Sequence, residues 1–277
     1  MEITIADSGC KYTKSDLKII NYIEGNTEQF LFMSIGELAK TLNISEATIS
    51  RFVRHIGYTD FKDMKSGIIK QKSGKGPAGK LAGTLLKDKG FDVRRWLEYQ
   101  AECLEKTMEQ TGTEEFNQSV AAIMEAEHIY IHGKNASASM VQLLFFRLRR
   151  LGLNVFLIPS GGSEVIEGIA HAGKKDVVLE FSFSKLSSEG RAILDYAVTA
   201  GYKTIAFTGR AYVPREQRAD INIYVYRGEE DEYHSMTSAA AMIDAMVLSL
   251  SEKMEGVSAD RLNKVHSLKK QYRDNKK

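Results

Sequence analysis

Two rhythms of apolar and polar residues divide the chain. Up to about residue 70 the apolar positions recur at helical spacing, and beyond residue 128 short apolar runs alternate with helical stretches. In the first region "TKSDLKIINYI" sets Leu17, Ile20 and Ile23 or Tyr22 on one face behind a Thr13 cap, with Asp16 three residues on. "SIGELAKTL" pairs Ser34 with Glu37 as a capping box, and Ile35, Leu38, Ala39 and Leu42 follow the spacing of an amphipathic helix. Asn tolerates a left-handed backbone, so Asn43 ends that helix sharply and Ser45 caps the next. Ile49, Phe52, Val53 and Ile56 then share a buried face, and Gly57 stops the helix. The pattern predicts helix, tight turn, helix.

The stretch from about Lys70 to Gly90, "KQKSGKGPAGKLAGTLLKDKG", is rich in Lys, Gly and Ser and reads as a flexible connection. Gly74, Gly79 and Lys80 fit the GxxxxGK spacing of a phosphate-binding loop. Leu81 stands where magnesium needs a hydroxyl, Pro77 interrupts the loop and no strand precedes it, so the linker reading wins. "FDVRRWLEYQAECLEKTMEQT" is the next helix. "HIYIH" (128–132), "NVFLI" (154–158), "DVVLEFSF" (176–183), "KTIAFT" (203–208) and "INIYVY" (221–226) are strands separated mostly by helices. That order predicts a doubly wound α/β domain with a parallel sheet, whose ligands lie beyond the C-terminal ends of the strands.

Charge sharpens the division. From Ser45 to Lys80 eight basic residues (Arg51, Arg54, Lys62, Lys65, Lys70, Lys72, Lys75, Lys80) face three acidic ones, whereas residues 81–277 hold 26 bases and 27 acids. The first part is built to meet a polyanion and the second is not. Cys10 and Cys103 stand far apart, against a disulfide framework or a CxxC zinc site, and both are expected to be reduced. The start of the sequence lacks the apolar core of a signal peptide and no run reaches bilayer length, so a cytoplasmic protein without membrane contact is expected. No metal or cofactor motif is recognisable.

With its apolar face buried, the helix after Asn43 offers Glu46, Thr48, Ser50, Arg51 and Arg54 on the other side. The second helix of such a pair is the one that enters the major groove of DNA. Arg51 and Arg54 suit guanine edges or phosphates, and Thr48 and Ser50 suit bases or backbone oxygens. Ser45 serves the helix end first, while Lys62, Lys65 and Lys70 are placed as phosphate contacts.

The stretch "MSIGELAKTLNISEATISRFVRHIGYTDFKDMK" (33–65) resembles the N-terminal domain of the RpiR (MurR/RpiR) family of bacterial transcriptional regulators through S-I-x-E-L-A, S-x-A-T-[IV]-x-R-F and G-[YF]-x-x-[FY]. The resemblance implies a helix-turn-helix domain at residues 1–76, a linker and connecting helix at 77–107, and a flavodoxin-like SIS (sugar isomerase) domain at 108–277. It also implies a double-stranded DNA operator, a phosphosugar or related anionic effector, and self-association as a homodimer or tetramer. Two SIS loops are matched by Gly133-Lys134-Asn135-Ala136-Ser137 and by Ser182-Phe183-Ser184-Lys185-Leu186-Ser187. By the resemblance Ser182, Ser184 and Ser187 hold the phosphate and Ser137 contacts the sugar. Asn135 and Lys185 depart from the family's glycines: Asn accepts a left-handed backbone, whereas Lys185 either adds a cation to the site or fills it. SIS domains also occur in phosphosugar isomerases, but Glu189, His171 and His234, the nearby candidates for a base, fall on no recognisable motif. A regulator whose SIS domain serves only dimerisation is the third reading.

Overall fold

The computed structural model describes residues 12–69, 76–86 and 91–274. Cys10, Lys70, Lys72, Gly74 and Lys75 lie outside these. The chain divides into two compact units, a helical one that runs through Leu97 and takes in Gly228–Ser235, and an α/β one made of Glu98–Arg227 and the chain from Met236.

The helical unit holds α1 (Lys14–Gly25), α2 (Thr27–Phe32), α3 (Ile35–Leu42), α4 (Glu46–His55), α5 (Phe61–Ile68) and α6 (Pro77–Leu86). Capping boxes at Thr13/Asp16 and Ser34/Glu37 open α1 and α3, and Ser45 accepts from the Thr48 amide to open α4. Asn43 does take the left-handed conformation, at φ 50° and ψ 53°, and the Lys18 ammonium donates to the Leu42 carbonyl beside it. Ile49, Phe52, Val53 and Ile56 are buried with Leu38, Ala39 and Leu42 in one core. On α1 the buried face carries Asp16, Ile19 and Ile23, and Leu17 is 47 % exposed. The helix is turned by Asp16, whose carboxylate caps the Thr13 amide and lies 3.4 Å from His55 Nδ1 of α4.

The expected linker departs from its reading. Its described part is α6, which starts at Pro77, where a missing amide costs nothing, and buries Ala82 in the helical core. Residues 228–235 pack on it: the Tyr233 amide donates to Thr84 Oγ1 at 2.7 Å. The Asp231 carbonyl lies 2.5 Å from where a side chain on Gly83 would begin, so only glycine fits there.

Along the rest of the chain run α7 (Val93–Gln110), α8 (Thr113–Glu125), β1 (Ile129–Gly133), α9 (Ser137–Arg150), β2 (Val155–Leu157), α10 (Glu164–Ile169), β3 (Val177–Phe181), α11 (Ser188–Ala200), β4 (Lys203–Thr208), β5 (Ile221–Tyr224), α12 (Thr237–Lys253) and α13 (Val257–Asp274). All strand pairs are parallel in the order β2-β1-β3-β4-β5, the doubly wound arrangement expected. Ile129, Ile131, Leu179, Phe181 and Phe207 face α8, α9 and α12, while Tyr130 and Val178 face α10 and α11. The chain reverses its direction of winding between β1 and β3, so the loops after these strands open at the switch point.

Gly133 closes β1 in a space without room. An added Cβ would lie 2.9 Å from Val141 Cγ2, 3.2 Å from Phe181 Cβ and 3.3 Å from Ser137 Cβ. Gly133→Ala is expected to push α9 from the sheet and to destabilise the α/β unit by about 1–3 kcal/mol, read as a lower urea midpoint.

Candidate functional site

The DNA-facing candidates divide by what the fold already asks of them. Ser45 Oγ accepts from the Thr48 amide and shares a 2.8 Å hydrogen bond with Thr48 Oγ1, so both hydroxyls first build the start of α4. Arg51 Nη2 reaches Thr48 Oγ1 at only 3.5 Å, and Arg51 and Arg54 both stand exposed on the face opposite Ile49, Phe52 and Val53. Ser50 is half-buried and Lys62 is exposed. The surface thus presents two guanidinium groups on the second helix of a helix-turn-helix.

Lys65 is a correction. It is 5 % exposed, points inward, and donates to the carbonyls of Leu31 (3.0 Å) and Met33. Its ammonium lies 5.1 Å from the Phe61 ring centroid and 5.8 Å from that of Phe30. These carbonyls end α2 and have no helical partner, so Lys65 ties α5 to the end of α2 and is not available to a phosphate. Spacing alone did not reveal this, because the carbonyls it serves lie more than thirty residues earlier. Burial lowers its pKa to about 8, opposed by the Glu37 carboxylate.

In the α/β unit three loops meet at the C-terminal edge of the sheet. Asn135, after β1, takes φ 52°, the backbone a glycine would supply, and leads through Ser137 into α9. Ser187 caps α11 by accepting from the Gly190 amide at 3.0 Å. Ser182 Oγ makes only a 3.5 Å contact with the Lys185 carbonyl. Ser184 and Lys185 are exposed, and neither side chain has a hydrogen-bond partner among the described residues. Of the four serines implied by resemblance, Ser187 is committed to structure and Ser184 is the one most open to a ligand.

Two neighbours were not singled out together from the sequence. Lys134 Nζ binds Glu189 Oε1 at 2.7 Å and joins the loop after β1 to the start of α11. A Cβ on Gly161, after β2, would lie 3.7 Å from Glu189 Oε1 and 4.0 Å from Lys134 Nζ. Hydrogen bonds from Lys134, its own amide and Ser188 hold the Glu189 carboxyl down at about 2. A carboxylate so held is a poor proton acceptor, which argues against Glu189 as an isomerase base. His234 packs in the helical unit, 3.3 Å from Lys80 Nζ, and His171 is exposed.

Directly before the two loops, His132 of β1 and Glu180 of β3 sit opposite one another and join at 2.6 Å, both buried. Among the described residues His132 Nε2 has no partner. The sequence signal was there: a polar residue at the same offset in "IYIHG" and "VVLEF", which strand register brings together. A separate cleft of about 450 Å³ lies beside β5, lined in part by Arg210, Arg218, Asp220 and Asn222. Asp220 is engaged by Thr204 and Asn222 by Ala219, so this cleft offers fewer unspent groups than the loops after β1 and β3. Among the described residues no group of three His, Cys, Asp or Glu is placed to hold a metal ion, and no helix is long and apolar enough to cross a membrane.

A helix-turn-helix joined to a flavodoxin-like sheet with serine loops at its switch point defines a two-domain protein of the helix-turn-helix regulator class. The rpiR-family helix-turn-helix domain model matches residues 1–75 and the SIS domain model residues 122–251. The chain thus joins an rpiR-family helix-turn-helix domain to a SIS domain. An uncharacterized HTH-type transcriptional regulator of Clostridium perfringens is 24 % identical over 258 residues, 92 % of each chain. Among solved structures, the Vibrio vulnificus NanR protein complexed with ManNAc-6P aligns over 95 % of this chain and 96 % of its own, at TM-score 0.60 and 19 % identity. The sugar isomerase domain of an RpiR transcription factor from Sphaerobacter thermophilus aligns over 63 % and 98 %, at TM-score 0.59 and 22 % identity. At these identities the structural likeness concerns the fold.

Lys65→Ala is expected to leave two buried carbonyls unpaired, each costing about 1–3 kcal/mol of the helical unit's stability. The pH dependence has a definite sign. The folded value of about 8 lies below the ordinary 10.5, so between these the unfolded chain binds more protons and the Lys65 contribution grows as pH rises. Urea midpoints of wild type and Lys65→Met, compared from pH 7 to pH 10, should diverge in that sense, and parallel curves would refute the buried amine.

Proposed function

We propose that this chain is a cytoplasmic, non-enzymatic transcriptional regulator that reads operator DNA with α4 and senses a phosphorylated sugar or related anion at the loops after β1 and β3. The observation that carries the first half is the exposure of Arg51 and Arg54 on the second helix of the pair, with Ser50 and Lys62 beside them. Arg51 is assigned to a base edge, Lys62 to phosphate, and Thr48 and Ser45 to backbone contacts after their capping duty. A homodimer would present two recognition helices to two half-sites.

The second half rests on unspent polar groups. Ser137, Ser182, Ser184 and Lys185 surround the switch point, and Gly133 and Asn135 give the first loop the shape to bring its backbone near a ligand. Lys134 stands by as a further cation, since an incoming phosphate competes with Glu189 for it. ManNAc-6P, bound to NanR in a structure of the same fold, makes phosphosugars the class to test first. The held-down Glu189 carboxyl disfavours the isomerase reading.

Arg51→Ala is expected to weaken binding to an operator selected from random DNA and to relax base preference at one position by about 1–3 kcal/mol, with the fold intact by circular dichroism. Equal affinity and selectivity would remove Arg51 from the reading surface. A thermal-shift screen of the full chain against hexose phosphates, amino-sugar phosphates and inorganic phosphate should give a selective stabilisation, about 2.7 kcal/mol at a hundredfold excess over Kd. Ser184→Ala should abolish the shift and leave DNA binding unchanged. No shift with any of these would favour a domain kept for assembly.

A further inference from the structure

Arg227, just past β5, is a half-buried cation without a counter-charge. Its guanidinium lies over the Phe183 ring, 4.0 Å from the centroid, and its Nη1 stands 3.6 Å from the Met236 sulfur. Its Nε is enclosed and has no hydrogen-bond partner among the described residues. No carboxylate among them pairs with it, and burial alone pushes its pKa down to about 10. Taking a guanidinium out of water is unfavourable unless an opposite charge offsets it, and a ring face offsets only part.

Met236, which the guanidinium touches, is the residue from which α12 starts. That end of a 17-residue helix is electropositive, since no side chain caps it and its first turn holds no acid. Ser238 in the same turn is 2 % exposed, and its Oγ also has no hydrogen-bond partner among the described residues. A buried hydroxyl and a buried guanidinium nitrogen are thus left unsatisfied at one positive helix end. The place is distinct from the serine loop. Beyond β3 the ladder continues, because the Ser182 amide donates to the Phe207 carbonyl and the Gly209 amide to the Phe183 carbonyl. Side chains still alternate there, so Phe183 joins Phe181 and Phe207 on the face of α9 and α12 and Ser182 takes the other.

We propose that Arg227, Ser238 and the first turn of α12 form a second anion site, which takes a small oxyanion. The planar fork of a guanidinium pairs two oxygens at once, which favours a carboxylate, sulfate or phosphate group over a halide. The helix start adds amides and the positive end of its dipole. The anion supplies the missing counter-charge and joins the end of β5 to the start of α12. The chain leaves the α/β unit directly after Arg227 and re-enters it at Met236, so the same anion fastens the two ends of that excursion. Neither Ser184 nor Lys185 belongs to the site, and it stands or falls apart from the effector reading.

The experiment is a set of thermal melts of the full chain in sodium chloride, sulfate and acetate at equal ionic strength. All samples carry Ser184→Ala, which sets the effector loop aside. Sulfate also stabilises folded chains by exclusion from their surface, so the readout is the part of each shift that Arg227→Met removes. That part should amount to about 3–5 °C for each tenfold excess of anion over its Kd, and the larger of the sulfate and acetate shifts tells a tetrahedral site from a planar one. In chloride, Arg227→Met should melt higher than its parent, because a thioether suits Phe183 and Met236 better than an unpaired cation. Ser238→Ala, which changes no charge, should shrink the same shifts with little effect in chloride. Shifts that are equal in parent, Arg227→Met and Ser238→Ala would overturn the site. A lower melting temperature of Arg227→Met in chloride would overturn it too, and would make the guanidinium a structural clamp on Phe183.

Discussion

Every helix end and sheet edge leaves backbone amides or carbonyls without partners, and the side chains enlisted to satisfy them decide which residues remain for function. At the end of α3 the task falls to Asn43 and Lys18, which let the chain turn within two residues and set α4 at its angle. At the end of α2 it falls to Lys65. On the exposed edge of β5 it falls to the end of α7, where Thr107 accepts from the Tyr226 amide and Thr111, just past the helix, donates to the Tyr224 carbonyl. Hydrophobic burial makes each unit compact, but these bonds fix where its elements stop.

The same requirement sorts residues that look alike in sequence. Lys62 and Lys65 are three residues apart in one basic stretch, yet one is exposed and the other almost wholly buried. Ser184 and Ser187 belong to one loop, yet Ser187 must cap α11 and Ser184 need not. A hydroxyl or ammonium already bound to backbone must break that bond to reach a ligand, which subtracts its worth from any binding energy. Groups without such duty, Arg51, Arg54, Ser184 and Lys185, therefore lead the functional assignment.

Much of this was legible in the chain itself. The second helix of the pair, α4, with its cap and buried face, follows from local spacing, because the pattern that announces it lies within a few residues. The strands read well for the same reason, since a parallel sheet covered on both faces makes each of them a continuous apolar run. The losses came where partners are remote in sequence. Lys65 answers to Leu31 and Met33 and Gly83 to Asp231, and no local pattern announces these pairs. The supposed linker failed for a related reason: its glycines suggested flexibility, but Gly83 is small because another backbone passes against it.

The two departures from the family's loops differ in physical kind. Asn135 replaces a glycine at a position that needs a left-handed backbone and supplies it at φ 52°, so the loop after β1 keeps its shape. Lys185 stays outside the left-handed region, so its backbone carries no strain that a glycine would relieve. What changes at Lys185 is the surface, which gains a cation beside Ser184 and across the sheet edge from Lys134. With Lys134 partly neutralised by Glu189, that gain offsets the charge an anionic ligand would otherwise lack. On the proposed reading, such a loop would change which anion is preferred before it abolished binding.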